Sequence, residues 1–508
     1  MTTSPSSSLF ARSPVRRLLL LLVLFAAALA IRVYDLTDAP LDFHPTRQVF
    51  TAIVARGMYY EHLDSAPAWQ RERAVAMWKS EETEPPSIDA LAVLTYRLIG
   101  REDLFYPRLY SLLFWVLGGL AVYFLARDLV SVEGALVALA FYLFAPYGVI
   151  ASRAFQPDPL MLCLILFSWW AMRRWHLTDR WGWALAAGLL GGLAMLVKSL
   201  AAFSLLGGLA GVFFARPLRQ SIRRVKFWVM GLLMAVPILL WMYYGFFVRG
   251  TLATQFSLRF FPNLLVDPVF YLVTEANVER VVGLLPLILG LLGFFLLERG
   301  EKRLFLAGLW GGYLLFLLVF AYYFMTHDYY HISLVPIVAL SLAPLGDLTA
   351  RRLLDLNPGR LARAALFVIL AAGLLLNLWN LRQTFHRVDY RPQAQFWADI
   401  GRLLDYDSRG VALVQDYGYP LAYWGWINPA YWPQTGDTAL RAMAGLSAPE
   451  FAAQFEEMVA GRHYFLVTDL EEFEAQPQLK EYLFAHYPLL AQGPGYLIFD
   501  LQHPLTQP

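Results

Sequence analysis

The side chains best suited to chemistry form a tight group near the N-terminus. Asp42, His44, Arg47 and Gln48 lie within seven positions of one another. An aspartate can accept a proton from a reacting hydroxyl or bind a metal ion, and an arginine can hold a phosphate with two hydrogen bonds. The alternative is a loop in which Asp42 caps a helix and Arg47 is solvated. The residue types alone leave both interpretations open.

Two further segments place charged residues beside prolines. Glu84 ends an acidic run that begins at Glu81, and the two prolines that follow block helix continuation. It is either a site acid or an acidic, solvated helix start. Asp158 begins an apolar run five residues after Arg153. Asp158 can therefore cap a helix or form an ion pair with the arginine.

Lys198 is the ionisable residue most deeply enclosed by apolar sequence, in Leu196-Val197-Lys198-Ser199-Leu200. An ionisable group at membrane depth is a functional candidate by default. The alternative is that the long side chain extends to the membrane interface.

A second polar group lies in the segment that includes His327, Asp328, Tyr330 and His331. Two histidines and an aspartate could bind a metal ion, provided that a helix puts both imidazoles on one face. They could equally hydrogen-bond a phosphate. The alternative is an aromatic belt at the membrane interface with polar turn residues.

The C-terminal quarter contains an unusually aromatic run after Asp416. Tyr417 and Trp424 are the candidates for stacking on a sugar or contacting an acceptor. The alternative is that these rings pack inside a domain or against the bilayer surface.

The composition places these residues in a membrane protein. Of 508 residues, 58% are hydrophobic and 16% are charged, against roughly 25% charged in soluble proteins. This argues against an ordinary soluble protein and excludes disorder, and a net charge of +2 gives no basic field for nucleic acid. The single cysteine excludes an intramolecular disulfide and a Cys-rich metal centre.

Apolar runs predict how the chain crosses the bilayer. A bilayer core requires about 20 apolar residues per helix. Eleven predicted spans lie near 15–33, 104–126, 132–150, 158–175, 182–198, 200–215, 227–248, 281–297, 304–324, 332–346 and 364–381.

Basic residues concentrate in alternate short loops, including the groups around Arg16, Arg173, Arg223, Lys302 and Arg351. By the positive-inside rule these loops are cytoplasmic. We therefore expect a multi-pass cell-membrane protein with a cytoplasmic N-terminus. The loop 34–103, the turn 325–331 and the residues after 382 would lie outside.

Two domains are expected. Residues 1–384 would form the transmembrane domain with the outer loop 34–103, and 385–508 a small extracytoplasmic α/β domain. In the latter, Val411–Gln415, Tyr464–Thr468 and Tyr496–Leu501 are typical of strands, and 392–407, 447–462 and 471–487 of helices. An alternative for the N-terminus is a cleaved signal peptide, which would leave loop 34–103 outside in either case.

Motifs of nucleotide hydrolysis and of common hydrolases are absent: the sequence has no Walker A loop, HExxH or GxSxG. An outer-face enzyme would more plausibly use a lipid-linked activated donor.

Several weak motifs occur in a specific order over about 15–345: the early Asp42, Glu84-Pro85-Pro86, the run from Gly100 to Leu109, Arg153 with Pro157-Asp158, the run from Gly192 to Lys198, and Tyr329-Tyr330 with Pro336. This order resembles the GT-C superfamily of membrane glycosyltransferases. It is most similar to the bacterial dolichyl-phosphate-mannose protein mannosyltransferase and aminoarabinose transferase-like group.

The resemblance implies a GT-C-like polytopic helical fold and inverting transfer of a sugar from a polyprenyl-phosphate donor to an acceptor, which is a protein, lipid or polysaccharide. It implies Asp42 as catalytic base, with His44 as a possible substitute because Phe43 stands where the family usually has a second acid. Glu84 would serve the acceptor side. The residues expected near the donor phosphate are Arg47, Arg153, Lys198, His327 and His331, with Gln48, Asp158 and Tyr330 as further polar residues of the site. No cofactor is required, although a divalent metal is compatible with the scheme.

Three alternatives stay open. A lipid or solute transporter would place polar residues near the bilayer midplane and often shows inverted repeats, whereas no repeat is found here. A catalytically inactive relative is compatible with the missing second acid. Transfer of oligosaccharide to asparagine is less favoured, since Val414 and Gln415 precede Asp416-Tyr417-Gly418 where that family has two tryptophans.

Overall fold

The chain forms two compact units. The computed structural model describes residues 13–79, 84–250, 260–356, 359–443, 445–447 and 449–505. Unit one comprises 1–37, 82–95 and 103–388, and unit two comprises 38–81, 96–102 and 389–508. Each unit is therefore assembled from segments that are distant in sequence.

The α-helices in chain order are α1 Pro14–Val33, α2 Pro45–Tyr60, α3 Ala68–Lys79, α4 Ser87–Ile99, α5 Phe105–Leu129, α6 Val132–Phe144, α7 Pro146–Ala151, α8 Asp158–Thr178, α9 Trp181–Val197, α10 Ala201–Phe214, α11 Leu218–Ile222, α12 Val225–Tyr243, α13 Pro268–Val282, α14 Leu284–Leu296, α15 Glu301–Val319, α16 Ala321–Thr326, α17 Leu334–Asp355, α18 Arg360–Arg387, α19 Arg391–Leu403, α20 Tyr419–Trp424, α21 Thr435–Met443, α22 Phe451–Val459, α23 Leu470–Ala475 and α24 Pro477–His486. The strands are β1 Gly410–Leu413, β2 Ala430–Tyr431, β3 Tyr464–Val467, β4 Leu489–Gly493 and β5 Tyr496–Asp500.

Unit one consists of apolar helices, and each of the eleven predicted spans coincides with helical segments. Among the residues that the structure describes, six helical stretches are long and apolar enough to cross a bilayer: Pro14–Val33, Phe105–Leu129, Val225–Val248, Glu301–Val319, Asp328–Asp355 and Arg360–Leu403. The pair α13 and α14, bent by 86°, would make seven. The chain is thus a multi-pass membrane protein, and the count of eleven spans stays a prediction.

Close helix packing in unit one depends on glycines. A Cβ atom on Gly207 of α10 would lie 2.5 Å from the carbonyl oxygen of Gly308 in α15, and one on Gly308 would lie 2.4 Å from that of Gly207. Small residues four apart allow such backbone contact between helices in a membrane, where apolar burial provides little drive for association. These glycines therefore set the separation of α10 and α15.

Unit two contains a five-stranded sheet in the order β2-β1-β3-β5-β4. Strand β1 runs parallel to β2 and β3, and β5 is antiparallel to β3 and β4. The three strands predicted from sequence coincide with β1, β3 and β5. The prediction omitted β2, which has two residues, and β4, which is mostly exposed.

Helices cover both faces of this sheet. Trp397 of α19 and Leu421 of α20 pack on one face, and Phe455 of α22 and Phe473 of α23 pack on the other. The predicted helices 392–407 and 447–462 coincide with α19 and α22, whereas 471–487 divides into α23 and α24 at Gln476, just before Pro477. Unit two also includes residues 38–81, which lie within the predicted outer loop. The predicted domain boundary near residue 385 stays a prediction.

Candidate active site

The Asp42 loop, residues 41–48, belongs to unit two and leads directly into α2. Pro45 begins the helix, and His44 before it has a left-handed backbone with φ of 45°. The side-chain amide of the buried Gln48 donates to the carbonyl oxygen of Phe43 at 2.7 Å and to the carboxylate of Asp42 at 3.3 Å. Asp42 is half-buried. Gln48 therefore holds the carboxylate from inside the loop, which fits its predicted place in the site.

A second contact joins this loop to the end of β1. The Thr46 hydroxyl donates to a carboxylate oxygen of Asp416 at 2.6 Å. Burial raises the pKa of Asp416 above its ordinary value, and the hydrogen bond from Thr46 partly opposes that rise. Neither residue was a site prediction. Their signal in the sequence was weak, because they are separated by 370 positions.

In unit one, Lys198 and Asp158 form a buried ion pair. The lysine Nζ lies 3.0 and 3.1 Å from the two carboxylate oxygens, and the two side chains are 5% and 2% exposed. Asp158 is the first residue of α8, where a helix favours negative charge, and Lys198 lies in the break after α9. Asp158 therefore pairs with Lys198 rather than with Arg153.

Two tyrosine rings complete the surroundings of this lysine. The Lys198 ammonium lies 5.0 Å from the ring centre of Tyr329 and 5.3 Å from that of Tyr330, within the range of cation–π attraction. All four residues line a small open cleft, whose other walls include Met161, Ile165, Leu200, Phe316 and Ile332. The cleft thus joins a charged end to apolar walls.

Arg153 is buried and contacts the chain on several sides. Its guanidinium donates to the carbonyl oxygen of Asp35 at 3.1 Å and lies 3.7 Å from the ring centre of Phe385. Arg108 donates to the carbonyl oxygen of Arg153 at 3.0 Å. These contacts fix the turn that precedes Asp158, so Arg153 contributes at least to the position of that turn.

The histidines of the 326–331 segment have different surroundings. His331 is fully buried, with Nδ1 2.7 Å from the Tyr313 hydroxyl and Nε2 3.0 Å from the carbonyl oxygen of Phe324. A carbonyl only accepts, so Nε2 carries the proton and Nδ1 accepts from the tyrosine. Both ring nitrogens are thereby occupied by protein, which favours a packing role over phosphate binding. His327 is half-buried, with Nδ1 2.8 Å from the Thr326 hydroxyl.

The metal-ligand interpretation of this segment receives no geometric support. Asp328 accepts from the Tyr147 hydroxyl at 2.9 Å and from Arg280 at 3.2 Å. Among the described residues, no group of three His, Cys, Asp or Glu side chains is arranged to hold a metal ion.

The remaining predicted residues are dispersed. Glu84 is half-buried in the segment before α4, and the other two acids of its run, Glu81 and Glu82, lie outside the described residues. Arg47 is half-buried, 5.5 Å from the Phe50 ring centre. Tyr417 is 53% exposed, which suits a contact with acceptor or sugar.

Trp424 has a packing position. It contacts the core of unit two that includes Trp397 and Leu421, and its ring lies edge-on to Tyr423 at 5.1 Å. This placement favours the alternative that the ring packs inside the domain.

Comparisons with known proteins match part of the chain to a described family. Residues 83–244, a segment that includes Glu84, Arg153, Asp158 and Lys198, match the family described as dolichyl-phosphate-mannose-protein mannosyltransferase. No functionally curated protein matches the chain.

Solved structures extend the similarity to nearly the whole chain. ArnT from Cupriavidus metallidurans bound to undecaprenyl phosphate is 15% identical, with a TM-score of 0.60 over 94% of this chain and 98% of that one. The oligosaccharyltransferase AglB from Archaeoglobus fulgidus, in complex with an inhibitory peptide and a dolichol-phosphate, is 12% identical, with a TM-score of 0.58 over 94% and 74%. The predicted resemblance is confirmed: the chain has the fold of the GT-C glycosyltransferases that use polyprenyl-phosphate carriers.

Proposed function

We propose that this chain transfers a sugar from a polyprenyl-phosphate carrier to a hydroxyl-bearing acceptor at the outer face of the membrane. The observation that carries the proposal is the Lys198–Asp158 pair, buried beside Tyr329 and Tyr330 at one end of an apolar-walled cleft. A cation next to apolar walls suits a ligand with a phosphate head and a hydrocarbon tail. The glycosyltransferase family match includes both members of the pair.

The chemistry needs positive charge more than it needs an acid. Phosphate is a good leaving group, so the enzyme need not protonate it. It must instead stabilise the charge that develops on the departing phosphate. We assign this task to Lys198, with His327, Arg47 and Arg153 as further cations. Asp158 holds the ammonium in place without removing its charge, and His331 supports the same segment from its buried position.

A base must also take the proton of the acceptor hydroxyl. We assign that role to Asp42, whose carboxylate is held by Gln48 within the loop, and we place His44 as the substitute. General base catalysis of this kind contributes typically 10²–10⁴-fold. Glu84 and Tyr417 are assigned to the acceptor side.

The proposal includes no obligatory cofactor. A divalent metal is compatible with it, since a similar oligosaccharyltransferase from Archaeoglobus fulgidus has been solved in complex with zinc and sulfate. The charge of the short loops supports a cytoplasmic N-terminus and an outer position for the residues after 382.

The decisive experiment measures transfer of labelled sugar from a panel of polyprenyl-phosphate donors by membranes that contain the wild-type chain. Asp42→Asn is compared with Asp64→Asn, a matched change in unit two at a carboxylate whose side chain is 99% exposed. We expect transfer by the wild type and by Asp64→Asn, and a loss of about 10²–10⁴-fold in Asp42→Asn.

Other outcomes change the assignment in defined ways. Full transfer by a correctly folded Asp42→Asn variant would move the base elsewhere, with His44→Ala as the next variant. Lipid or solute flux in liposomes without any sugar transfer would favour a transporter and contradict the proposed function.

A further inference from the structure

The sheet of unit two has the strand and helix arrangement that, in α/β proteins, opens a ligand-binding crevice. The helix that follows β1 packs Leu421 on the face that carries Ala412, and the helix that follows β3 packs Phe473 on the opposite face. Strands β1 and β3 are adjacent and parallel. Where neighbouring parallel strands continue toward opposite faces, a crevice opens at their carboxyl ends, and ligands bind there.

Polar residues of the chain itself line this crevice. The Gln415 amide donates to the carbonyl oxygen of Thr468 at 3.0 Å, and the Thr468 hydroxyl returns a bond to the Gln415 amide oxygen at 2.9 Å. The Gln434 amide donates to Asp469 at 3.1 Å. These bonds fix the ends of β1 and β3 relative to each other. The backbone of the residues that follow Gln415 forms the edge of the crevice.

That edge has an unusual backbone. Asp416, Tyr417 and Gly418 are consecutive residues with positive φ, of 52°, 55° and 77°. Non-glycine residues in this region cost of order 1–3 kcal/mol each and persist where the surrounding structure holds them, often at functional sites. The turn directs the Asp416 carboxylate to Thr46, four residues after Asp42.

The N-terminal side of the Asp42 loop is also held by hydrogen bonds to a carboxylate. The Asp38 carboxylate accepts from the backbone N–H of Tyr390 at 3.1 and 3.2 Å and from that of Ala39 at 2.7 Å. Asp42 therefore lies between two anchors, one at Asp38 and one at Thr46. Both connect it to residues after 389 of the same unit.

We propose that Asp416 is a positioning residue of the transferase, which fixes the Asp42 loop by accepting the hydrogen bond of Thr46. The role in transfer rests on the proposed function of Asp42. The turn after β1 thus holds the Asp42 loop, and it orients the proposed base toward the acceptor hydroxyl. Misplacement of a reacting group by about 1 Å can cost on the order of 100-fold in rate.

The test is a double-variant cycle with two independent readouts. Thr46→Val removes the donor, Asp416→Gly removes the acceptor and suits the positive φ, and Thr46→Ser keeps the hydroxyl. Thr438→Val removes an exposed hydroxyl in α21 and is the control. The readouts are kcat and KM for a labelled polyprenyl-phosphate sugar, and hydrogen exchange at the amides of Arg47 and Gln48, both of which donate to the His44 carbonyl.

We expect Thr46→Val and Asp416→Gly each to lower kcat by about 10- to 100-fold with little change in the donor KM. The double variant should be no worse than the more severe single one, and Thr46→Ser should retain activity. Hydrogen exchange at residues 47 and 48 should accelerate in Thr46→Val, in the Asp416 variant and in the double variant. It should not accelerate in Thr46→Ser or Thr438→Val.

Multiplicative losses in the double variant would overturn the inference, as would unchanged exchange in Thr46→Val and Asp416→Gly. The exchange readout does not require turnover. Absence of transfer by the wild type would therefore contradict the proposed function, while unchanged exchange would contradict the positioning role separately.

Discussion

Each of the two units contains a buried cation that lies beside a pair of aromatic rings, and these two cations are held in different ways. In unit two the Arg56 guanidinium contacts Glu102 through Nε and Nη2 at 3.0–3.2 Å and donates Nη1 to the carbonyl oxygen of Tyr423. Its Cζ atom lies 3.7 Å from the Tyr423 ring centre and 4.3 Å from that of Trp426. Every nitrogen of this cation is thus engaged by the chain, and two rings lie against it.

In unit one, by contrast, Lys198 has one carboxylate partner among the described residues, and its ammonium lines an open cleft. A guanidinium is a planar fork that suits permanent recognition, whereas an ammonium is a compact point charge with three donors. Burial beside aromatic rings therefore does not by itself identify a site. What differs is whether the chain has used all of the cation's bonding capacity.

Among the predicted changes, replacement of Lys198 should have the largest effect on stability and on sugar transfer. Lys198→Met leaves the Asp158 carboxylate buried without its partner, which typically destabilises by about 3–5 kcal/mol. Adding Asp158→Leu should restore most of the thermal stability in detergent, because the unpaired charge is gone. Sugar transfer should stay lost in both variants. A stable double variant that transfers like the wild type would remove Lys198 from the site.

The corresponding change in unit two should affect stability without a specific effect on donor binding. Arg56→Lys loses the planar contacts with Glu102 and the stacking on Tyr423 and Trp426, for an expected cost of about 1.5–3 kcal/mol. Arg71→Lys, at an arginine whose partner Asp64 is almost fully exposed, should cost nearly nothing. Thermal unfolding measures both. A raised donor KM in Arg56→Lys at unchanged stability would contradict the structural assignment.

The sequence predicts those structural features whose signal lies within a short run of residues. Apolar runs and alternating strands are local patterns, so the helices of unit one and strands β1, β3 and β5 could be predicted. Strand β2 has two residues and no period to detect. The bend of 86° between α13 and α14 follows from Gly283, with φ of 78°, and was not predicted because the predicted span 281–297 is apolar throughout.

The site was predictable only as far as residue type decides it. Lys198 and Asp158 were each candidates, yet their pairing was missed because the nearer Arg153 offered a simpler partner. The hydroxyl of Thr46 and the carboxylate of Asp416 carry no local signal that connects them. Trp424 and His331 show the converse, since an aromatic or imidazole ring that suits a ligand equally suits a core.

The close packing of α10 against α15 can be tested within unit one alone. Gly308→Ala would place a Cβ within 2.4 Å of the Gly207 carbonyl oxygen and 2.6 Å of the Gly211 nitrogen. Because backbone cannot yield easily, we expect a loss of about 1–3 kcal/mol. The control is Gly311→Ala on the same helix, where no atom lies within 4 Å; it should be neutral or slightly stabilising. Equal effects of the two changes in thermal unfolding would contradict the close approach of α10 and α15.

The smallest predicted effect is the pH dependence of stability that one carboxylate near the surface of unit two provides. Asp407 lies 3.0 Å from Arg409 and 2.7 Å from the His463 ring. Burial alone would raise the pKa of Asp407, but hydrogen bonds from Arg409 and His463 outweigh it and lower the pKa to about 2. A carboxylate with a depressed pKa stabilises the fold above its unfolded value, near about 3.9, and that contribution is lost as the pH falls toward about 2.

The expected size is below about 1 kcal/mol, because the pair is near the surface and screened by solvent. Hydrogen exchange at the amides of β1 and β3 should therefore accelerate slightly in the wild type as the pH falls below about 4, after correction for intrinsic exchange. Asp407→Asn should flatten that dependence, while Asp399→Asn, at an exposed carboxylate of α19, should not. An unchanged pH dependence in Asp407→Asn would mean that the loss of stability of this sheet at low pH is set by other carboxylates with a lowered pKa, such as Asp500 at the end of β5.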